Sequence, residues 1–328
     1  MAEYGIRTID NISANDLYNK YIGWINEYNT NPEYVSEFIS RVGVKIDKPN
    51  AILSEAHLEF VENADLNIPD WQKAKEISIP VGLKYYALGQ AFTRRFINSS
   101  SSYELDERTK KTIAADQRLV MKKYFGTMLK KTTSGFYHGT GYTPPKYKNN
   151  TFTSSHQHYV MSNLGVGDAE WDIDDVRWVK ENILEHGYSA LNLHLYVNSN
   201  TIRDIEGWGS WYASANTTVP SRLTDTLSTE GFAQGVSIEG FVLHHEEWIP
   251  DNYMLFISQD EPCVAERVHP NSSARGLMLI PGRNSNCQLE DSYYERAIGT
   301  AVIAKGAGVV MYNTTGSSWS DPDGFDFD

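Results

Sequence analysis

Residues 99–131 read SSSSYELDERTKKTIAADQRLVMKKYFGTMLKK, and the way this stretch is read decides the fold. Ser101 and Glu104 stand at the spacing of a capping box, in which a serine side chain and a residue three positions on satisfy each other's free backbone N–H groups. Leu105, Ile113, Val120, Tyr124 and Met128 then recur at helical spacing through Lys131. The pattern predicts one helix of about 28 residues, about 42 Å long at the usual rise. Helices of compact globules average about 11–12 residues. A helix this long needs a structural reason, and a spine running along an extended subunit supplies one.

Just upstream, His57–Val61 and Ile77–Val81 alternate like two strands. They predict a long hairpin over Glu55–Tyr86, with a polar tip that also carries Ile68, Trp71, Lys73 and Lys75. A lone hairpin is marginal in water, so this one is expected to find contacts elsewhere in the fold or on a neighbour. Two amphipathic helices come before it. One starts at Ser13, with Asp16 at the capping spacing and Leu17, Tyr21, Trp24, Ile25 and Tyr28 on one stripe; the other starts at Asn31-Pro32 and shows Val35, Phe38, Ile39 and Val42. Together they read as an arm.

Downstream, a Gly-, Thr- and Lys-rich loop (135–150) leads to a helix from Asp172, which has Asp175 at the capping spacing and closes at His186-Gly187. The strand Leu191–Val197 alternates, which predicts one buried face. A Gly-, Trp- and Ser-rich stretch around 208–214 precedes paired strands over Val236–Glu247 and Tyr253–Ser258, turning at Pro250-Asp251-Asn252. Ala297–Ala304 and Val309–Asn313 read as a closing hairpin through Lys305–Gly308, followed by an acidic tail, Ser320–Asp328. The class is α+β, without an internal repeat of fixed period.

Composition narrows the function. A formal charge of −13 over 328 residues argues against a protein that grips nucleic acid through its phosphates, while suiting a wall that should not adhere to DNA. Cys263 and Cys287 are the two cysteines, with no CxxC pair for zinc, and fit a reducing cytoplasm. Met1–Arg7 has no apolar run after a basic start, and no stretch of about 18 apolar residues occurs, so neither a signal peptide nor a membrane span is expected. Asn-x-Ser/Thr matches at Asn98, Asn216 and Asn313 are then chance products of composition.

No motif carries catalysis. His244-His245-Glu246-Glu247 lies on a strand, where only His244 with Glu246, or His245 with Glu247, could share a face. His156 and His158 could also share one, but no third ligand stands at a recognisable spacing. Gly-x-Ser-x-Gly is absent, Gly139-Thr140-Gly141 and Gly165-Val166-Gly167 lack the rest of a nucleotide loop, and the adjacent pairs Glu246/Glu247 and Asp174/Asp175 read as solvated charges or caps. The expectation is no catalytic residue, metal or cofactor. Arg94-Arg95, Lys110-Lys111, Lys122-Lys123 and Lys130-Lys131 are basic spots in an acidic chain, for a neighbouring subunit, light contact with DNA, or solvent.

Arm, long hairpin, serine-rich turn, very long helix, helix and strand, strand-rich insertion and closing strands: this order resembles the Hong Kong 97-type major capsid fold of tailed bacteriophages. Ile68-Pro69-Asp70-Trp71, Gly231-x-x-x-Gly235 before Ile238-Glu239-Gly240-Phe241-Val242, Trp248–Tyr253, and Arg296–Val310 resemble segments of such proteins in the same order. The resemblance implies an N-arm over 1–53, an E-loop hairpin and connection over 54–102, the spine helix and first part of the P-domain over 103–200, mainly A-domain over 201–290, and returning P-domain strands with the acidic tail over 291–328. It implies a non-enzymatic major capsid protein of the virion. Assembled in the bacterial cytoplasm, such a subunit forms pentamers and hexamers of an icosahedral shell around double-stranded DNA, bound without sequence preference and without a membrane.

Its implied partners are itself, scaffolding and portal proteins and decoration proteins. Ile68, Trp71, Lys73, Lys75, Leu17, Tyr21, Trp24, Tyr28, Arg94 and Arg95 are the expected subunit contacts. An isopeptide link from Lys73 or Lys75 to Asn313 is conceivable, since some relatives make one. Many relatives also begin with a scaffolding segment removed on maturation, whereas only residues 1–53 precede the hairpin here. An encapsulin-type nanocompartment shell is the alternative, and a metal-assisted hydrolase using His244 or His156 is a third reading.

Overall fold

The computed structural model describes residues 6–31, 36–52, 78–90, 92–131, 135–136, 147, 152, 156–162, 171–207, 237–284, 286–314 and 318–325. Helix α1 (Ala14–Thr30) begins after Ser13, whose side chain accepts from the Asn15 N–H. Helix α2 is Glu37–Val42, with Ser36 before it; Asn31 closes α1, so the described second helix starts later than Asn31-Pro32 suggested. Strands β1 (Gly43–Ile46), β2 (Asn50–Ile52), β3 (Ser78–Pro80) and β4 (Lys84–Gly89) follow, then a short helix α3 (Arg94–Ser99).

Helix α4, Ser102–Leu129, is the expected long helix at 28 residues; the Ser101 side chain accepts from the Glu104 N–H, the N-cap half of the expected capping box, and Glu104 pairs with Arg108. The capping pattern is local, which is why it could be read directly. Its buried stripe includes Leu105, Tyr124, Phe125, Met128 and Leu129, but also Thr109, Thr112 and Asp116; Ile113 and Val120 are only partly buried. The middle of the spine is therefore polar where it meets the rest of the subunit.

After the spine come β5 (Tyr159–Met161), α5 (Ile173–Leu184), β6 (Leu193–Val197), α6 (Ser199–Gly207), β7 (Ser237–Ile238), β8 (Phe241–His245), β9 (Tyr253–Ser258), β10 (Val264–Arg267), β11 (Leu277–Ile280), β12 (Tyr293–Val302) and β13 (Gly308–Tyr312). One sheet runs β1-β10-β12-β11, with β4 also paired to β12; a second runs β5-β13-β9-β6-β8-β7; β2 and β3 form an antiparallel pair of their own. The long strand β12 and helix α1 pack on the N-terminal half of the spine, burying Leu17, Tyr21, Ile97, Leu105, Leu279 and Tyr294 together. Its C-terminal half buries Phe125 and Met128 against Phe38, Tyr159, Leu255 and Val310.

Three strand expectations are corrected. Leu193–Val197 is buried on both faces, because β6 lies inside the sheet between β9 and β8 with helices packed beside it. The strands β8 and β9 do not pair across Pro250–Asn252: β6 separates them, parallel to β8 and antiparallel to β9. Nor do β12 and β13 form a hairpin, since Lys305–Gly308 carries the chain from one sheet to the other. Strand β3, within the expected Ile77–Val81, pairs with β2, registered Asn50 to Pro80 and Ile52 to Ser78; its expected partner His57–Val61 and the tip lie outside the described residues, as does Gly231-x-x-x-Gly235.

Helix α5 carries the capping box that Asp172 and Asp175 announced. The Asp172 carboxylate accepts from the Asp174 and Asp175 N–H groups at 2.8 and 3.2 Å, and Asp175 accepts from the Asp172 N–H at 3.0 Å. Asp175 is buried, and that burial, against the pull of the Asp172 N–H and with the charges of Asp172 and Asp174 beside it, raises its pKa from 3.8 to about 6. A folded-state pKa above the unfolded one means the native state binds more protons between about 4 and 6. The contribution is full below that window and is lost as pH rises through it. Asp175→Asn, which keeps an acceptor, should therefore flatten the difference in urea midpoint between pH 5 and pH 7. An unchanged difference would remove Asp175 as its source.

Candidate assembly surfaces and side-chain clusters

The arm is held to the spine by a buried ionic group. Asp116, on α4, accepts from Arg296 Nε and Nη2 at 2.5 Å each and from the Tyr28 hydroxyl at 2.8 Å. Burial works against the Arg296 charge, and Asp116 outweighs it, so the guanidinium pKa stays above its ordinary value. Nearby, the Tyr124 hydroxyl donates to the buried Glu266 at 2.9 Å. These contacts place a helix of the N-terminal segment, the spine and a C-terminal strand in one register.

That packing changes the reading of the arm stripe. Leu17, Tyr21 and Tyr28 are buried inside their own subunit, so their side chains are not a surface for a neighbour. Trp24 is partly buried, with the Lys20 ammonium 4.7 Å and the Lys110 ammonium 5.9 Å from its ring. Arg94 and Arg95 are exposed at the start of α3. Ile68, Trp71, Lys73 and Lys75 lie outside the described residues. Asn313 accepts from the Ser162 hydroxyl at 3.1 Å. Of the basic spots, Lys110 pairs with Glu107 on its own helix and Lys123 lies over the Tyr86 ring, its pKa lowered to about 8 by burial and by Lys84.

An apolar surface not picked out from the sequence lies on β4. Tyr85 is 58% exposed on the face that also carries the exposed Tyr293 of β12, Leu88 is 43% exposed on the opposite face, and every residue of β4 is at least partly open. The run Tyr85-Tyr86-Ala87-Leu88 was the available signal: an apolar segment without a polar face, of which Lys123 covers the Tyr86 ring and Tyr85 and Leu88 stay exposed. Ile52, at the outer end of β2, is also exposed.

The histidines form two clusters. His244 Nε2 lies 2.8 Å from His194 Nδ1, with the ring stacked on Tyr196, and burial lowers the pKa of both, that of His194 to about 4. Glu246 does not join them as a ligand; it accepts from the Trp248 N–H, and burial raises its pKa to about 6. The second cluster corrects the expectation that His156 and His158 lack a third partner. His186, just past α5, brings its Nε2 to 2.9 Å from His156 Nε2 and 3.0 Å from His158 Nε2, and the latter two are 3.1 Å apart. Cys263 and Cys287 are buried free thiols, the former pushed up to about 12 by burial. No helix among the described residues is long and apolar enough to cross a membrane.

The chain superposes on a solved structure from Mycobacterium phage Patience over 98% of its own length and 96% of that chain, with a TM-score of 0.68 at 22% identity. Two capsid structures match with a TM-score of 0.51. One is the capsid of a native GTA particle, at 13% identity over 84% of this chain and 89% of that one. The other is the mature capsid of bacteriophage PhiM1, at 10% identity over 82% and 84%. This is the Hong Kong 97-type capsid fold. At identity this low few individual residues are shared, and the likeness is one of fold. No protein-family model matches the sequence, and no curated protein matches it.

Proposed function

We propose that the chain is the major capsid protein of a tailed bacteriophage, a non-enzymatic subunit of the virion that tiles as hexamers and pentamers around double-stranded DNA. The observation that carries this reading is the match along nearly the whole chain, arm and spine included, to a phage structure. The two capsid matches support it over a smaller share. In this reading 1–53 is the N-arm, 54–102 the E-loop and its connection, 103–200 the spine and first part of the P-domain, 201–290 mainly the A-domain, and 291–328 the returning P-domain strands and tail.

The subunit surface supports the same role. In this reading Ile68 and Trp71, with Lys73 and Lys75, dock on the adjacent subunit. Exposed Tyr85 and Leu88 on β4, the exposed Arg94 and Arg95, and the open edge of Trp24 add modest contacts whose sum over a closed shell is large. Scaffolding and portal proteins are its partners in assembly, and the net charge of −13 keeps the wall from adhering to packaged DNA.

Expression of the full chain alone, followed by size-exclusion chromatography and negative-stain microscopy, tests the proposal. Closed megadalton particles or hexameric and pentameric rings are expected. A chain that stays monomeric at all concentrations, also with its scaffolding protein supplied, would overturn it. Particles that take up a cargo enzyme and no genome would instead make it a nanocompartment shell.

A further inference from the structure

We propose that His156, His158 and His186 form a binding site for a divalent ion of the zinc class, held by their three Nε2 atoms. The three nitrogens form a near-equilateral triangle with edges of 2.9, 3.0 and 3.1 Å. An ion at the usual zinc–nitrogen distance of about 2.0–2.1 Å would sit about 1.1 Å off their plane. The edges are a few tenths of an ångström shorter than the roughly 3.3 Å between ligand atoms of a tetrahedral ion at that distance, a gap closed by small ring rotations.

Hydrogen bonding alone does not account for the triangle. His158 Nδ1 lies 2.6 Å from the Gly308 carbonyl oxygen, which can only accept, so Nδ1 carries the proton and a neutral His158 can only accept at Nε2. If His156 and His186 both carry Nε2 protons, each can donate to His158, but their own 2.9 Å edge then sets two donors face to face. If one of them carries it, the edge between the two remaining nitrogens has no proton. Every neutral arrangement thus leaves one edge without a hydrogen bond. A metal ion satisfies all three lone pairs at once.

The surroundings are built for such a site. The His158–Gly308 contact is the outer hydrogen bond that fixes tautomer and ring direction in histidine–metal sites. Phe152 stacks on the His186 ring at 4.3 Å, nearly parallel. Gly306 makes room for that ring: a β-carbon there would lie 2.5–3.0 Å from His186 atoms. The Lys305 ammonium is the opposing charge, and it is engaged by the Gly135 carbonyl at 2.8 Å. His158 and His186 are buried while His156 is partly exposed, which gives an ion a route in. The ion would pin the end of α5 to the lead into β5, and through Gly308 to β13, a cross-link in the six-stranded sheet.

The test uses the untagged full chain, stripped with chelator and then given ZnCl2 or CoCl2. About one zinc retained per chain after dialysis is expected, together with the intense visible absorption of four-coordinate cobalt and a rise in melting temperature that chelator reverses. His156→Gln, at the partly exposed corner, should keep the fold by circular dichroism and lower zinc affinity by more than about 100-fold. His186→Gln should do the same where it folds. Only the weak spectrum of six-coordinate aqueous cobalt, or full zinc retention by His156→Gln, would overturn the site.

Discussion

Asp116→Ala is expected to destabilise the subunit by about 3–5 kcal/mol, the usual cost of removing one partner from a buried ion pair. The carboxylate is 5% exposed and Arg296 9%, and two of the carboxylate's contacts are the paired 2.5 Å bonds from Arg296. Deleting it leaves a guanidinium in a site that already opposes its charge, and removes the acceptor Asp116 from the Tyr28 hydroxyl as well. The effect should spread along the arm, because Tyr28 is the last buried residue of α1 on the spine. Urea unfolding with an unchanged slope gives the magnitude, and hydrogen exchange should show α1 opening first. The paired replacement Asp116→Leu with Arg296→Met should recover most of the loss, since exchanging both charges for apolar groups is often neutral or better. A single-variant loss below about 1 kcal/mol would mean that solvent or another anion reaches Arg296.

Deleting Asn63–Lys75 should abolish closed particles while leaving a soluble, folded subunit. The deleted residues lie in sequence between the paired strands β2 and β3, and the arm and the two larger sheets are built from other parts of the chain. Loop shortening by itself costs a folded domain little, since closure entropy changes slowly with length. Assembly is different: in the proposed shell the tip is one of each subunit's contacts, so its loss would be repeated at each interface. Electron microscopy decides it. Particles of normal size and heat resistance from the deleted chain would take the tip out of the contact set and shift attention to Tyr85 and Leu88.

Much of the architecture could be read before any coordinates, and what was legible shares a physical cause. Ser13, Ser101 and the Asp172–Asp175 pair mark helix starts through hydrogen bonds made within three residues, so their meaning is complete in the local sequence. The length of α4 follows from Leu105, Ile113, Val120, Tyr124 and Met128 recurring at helical spacing, even though its buried side also carries Thr109, Thr112 and Asp116. Strand partners were not legible. Alternation says that a strand has faces but not who lies beside it, so β8 with β9, and β12 with β13, were paired by nearness in sequence when β6 intervenes in one case and a change of sheet in the other.

The arm stripe shows the same limit from another side. Leu17, Tyr21 and Tyr28 announce an apolar face that must be covered, and the sequence is silent on whether the cover is the same chain or another. Tertiary structure chose the same chain, through Asp116 and Arg296, which stand 180 residues apart. His186 reaches His158 from 28 residues away, and Arg296 reaches the spine across most of the chain, because long-range contacts are set by how sheets and helices pack. By itself, then, the sequence determined where helices begin, how long the spine runs and which faces need covering. Only the tertiary structure decided what covers them, since burial and pairing depend on groups distant in sequence that the folded chain brings within a few ångströms.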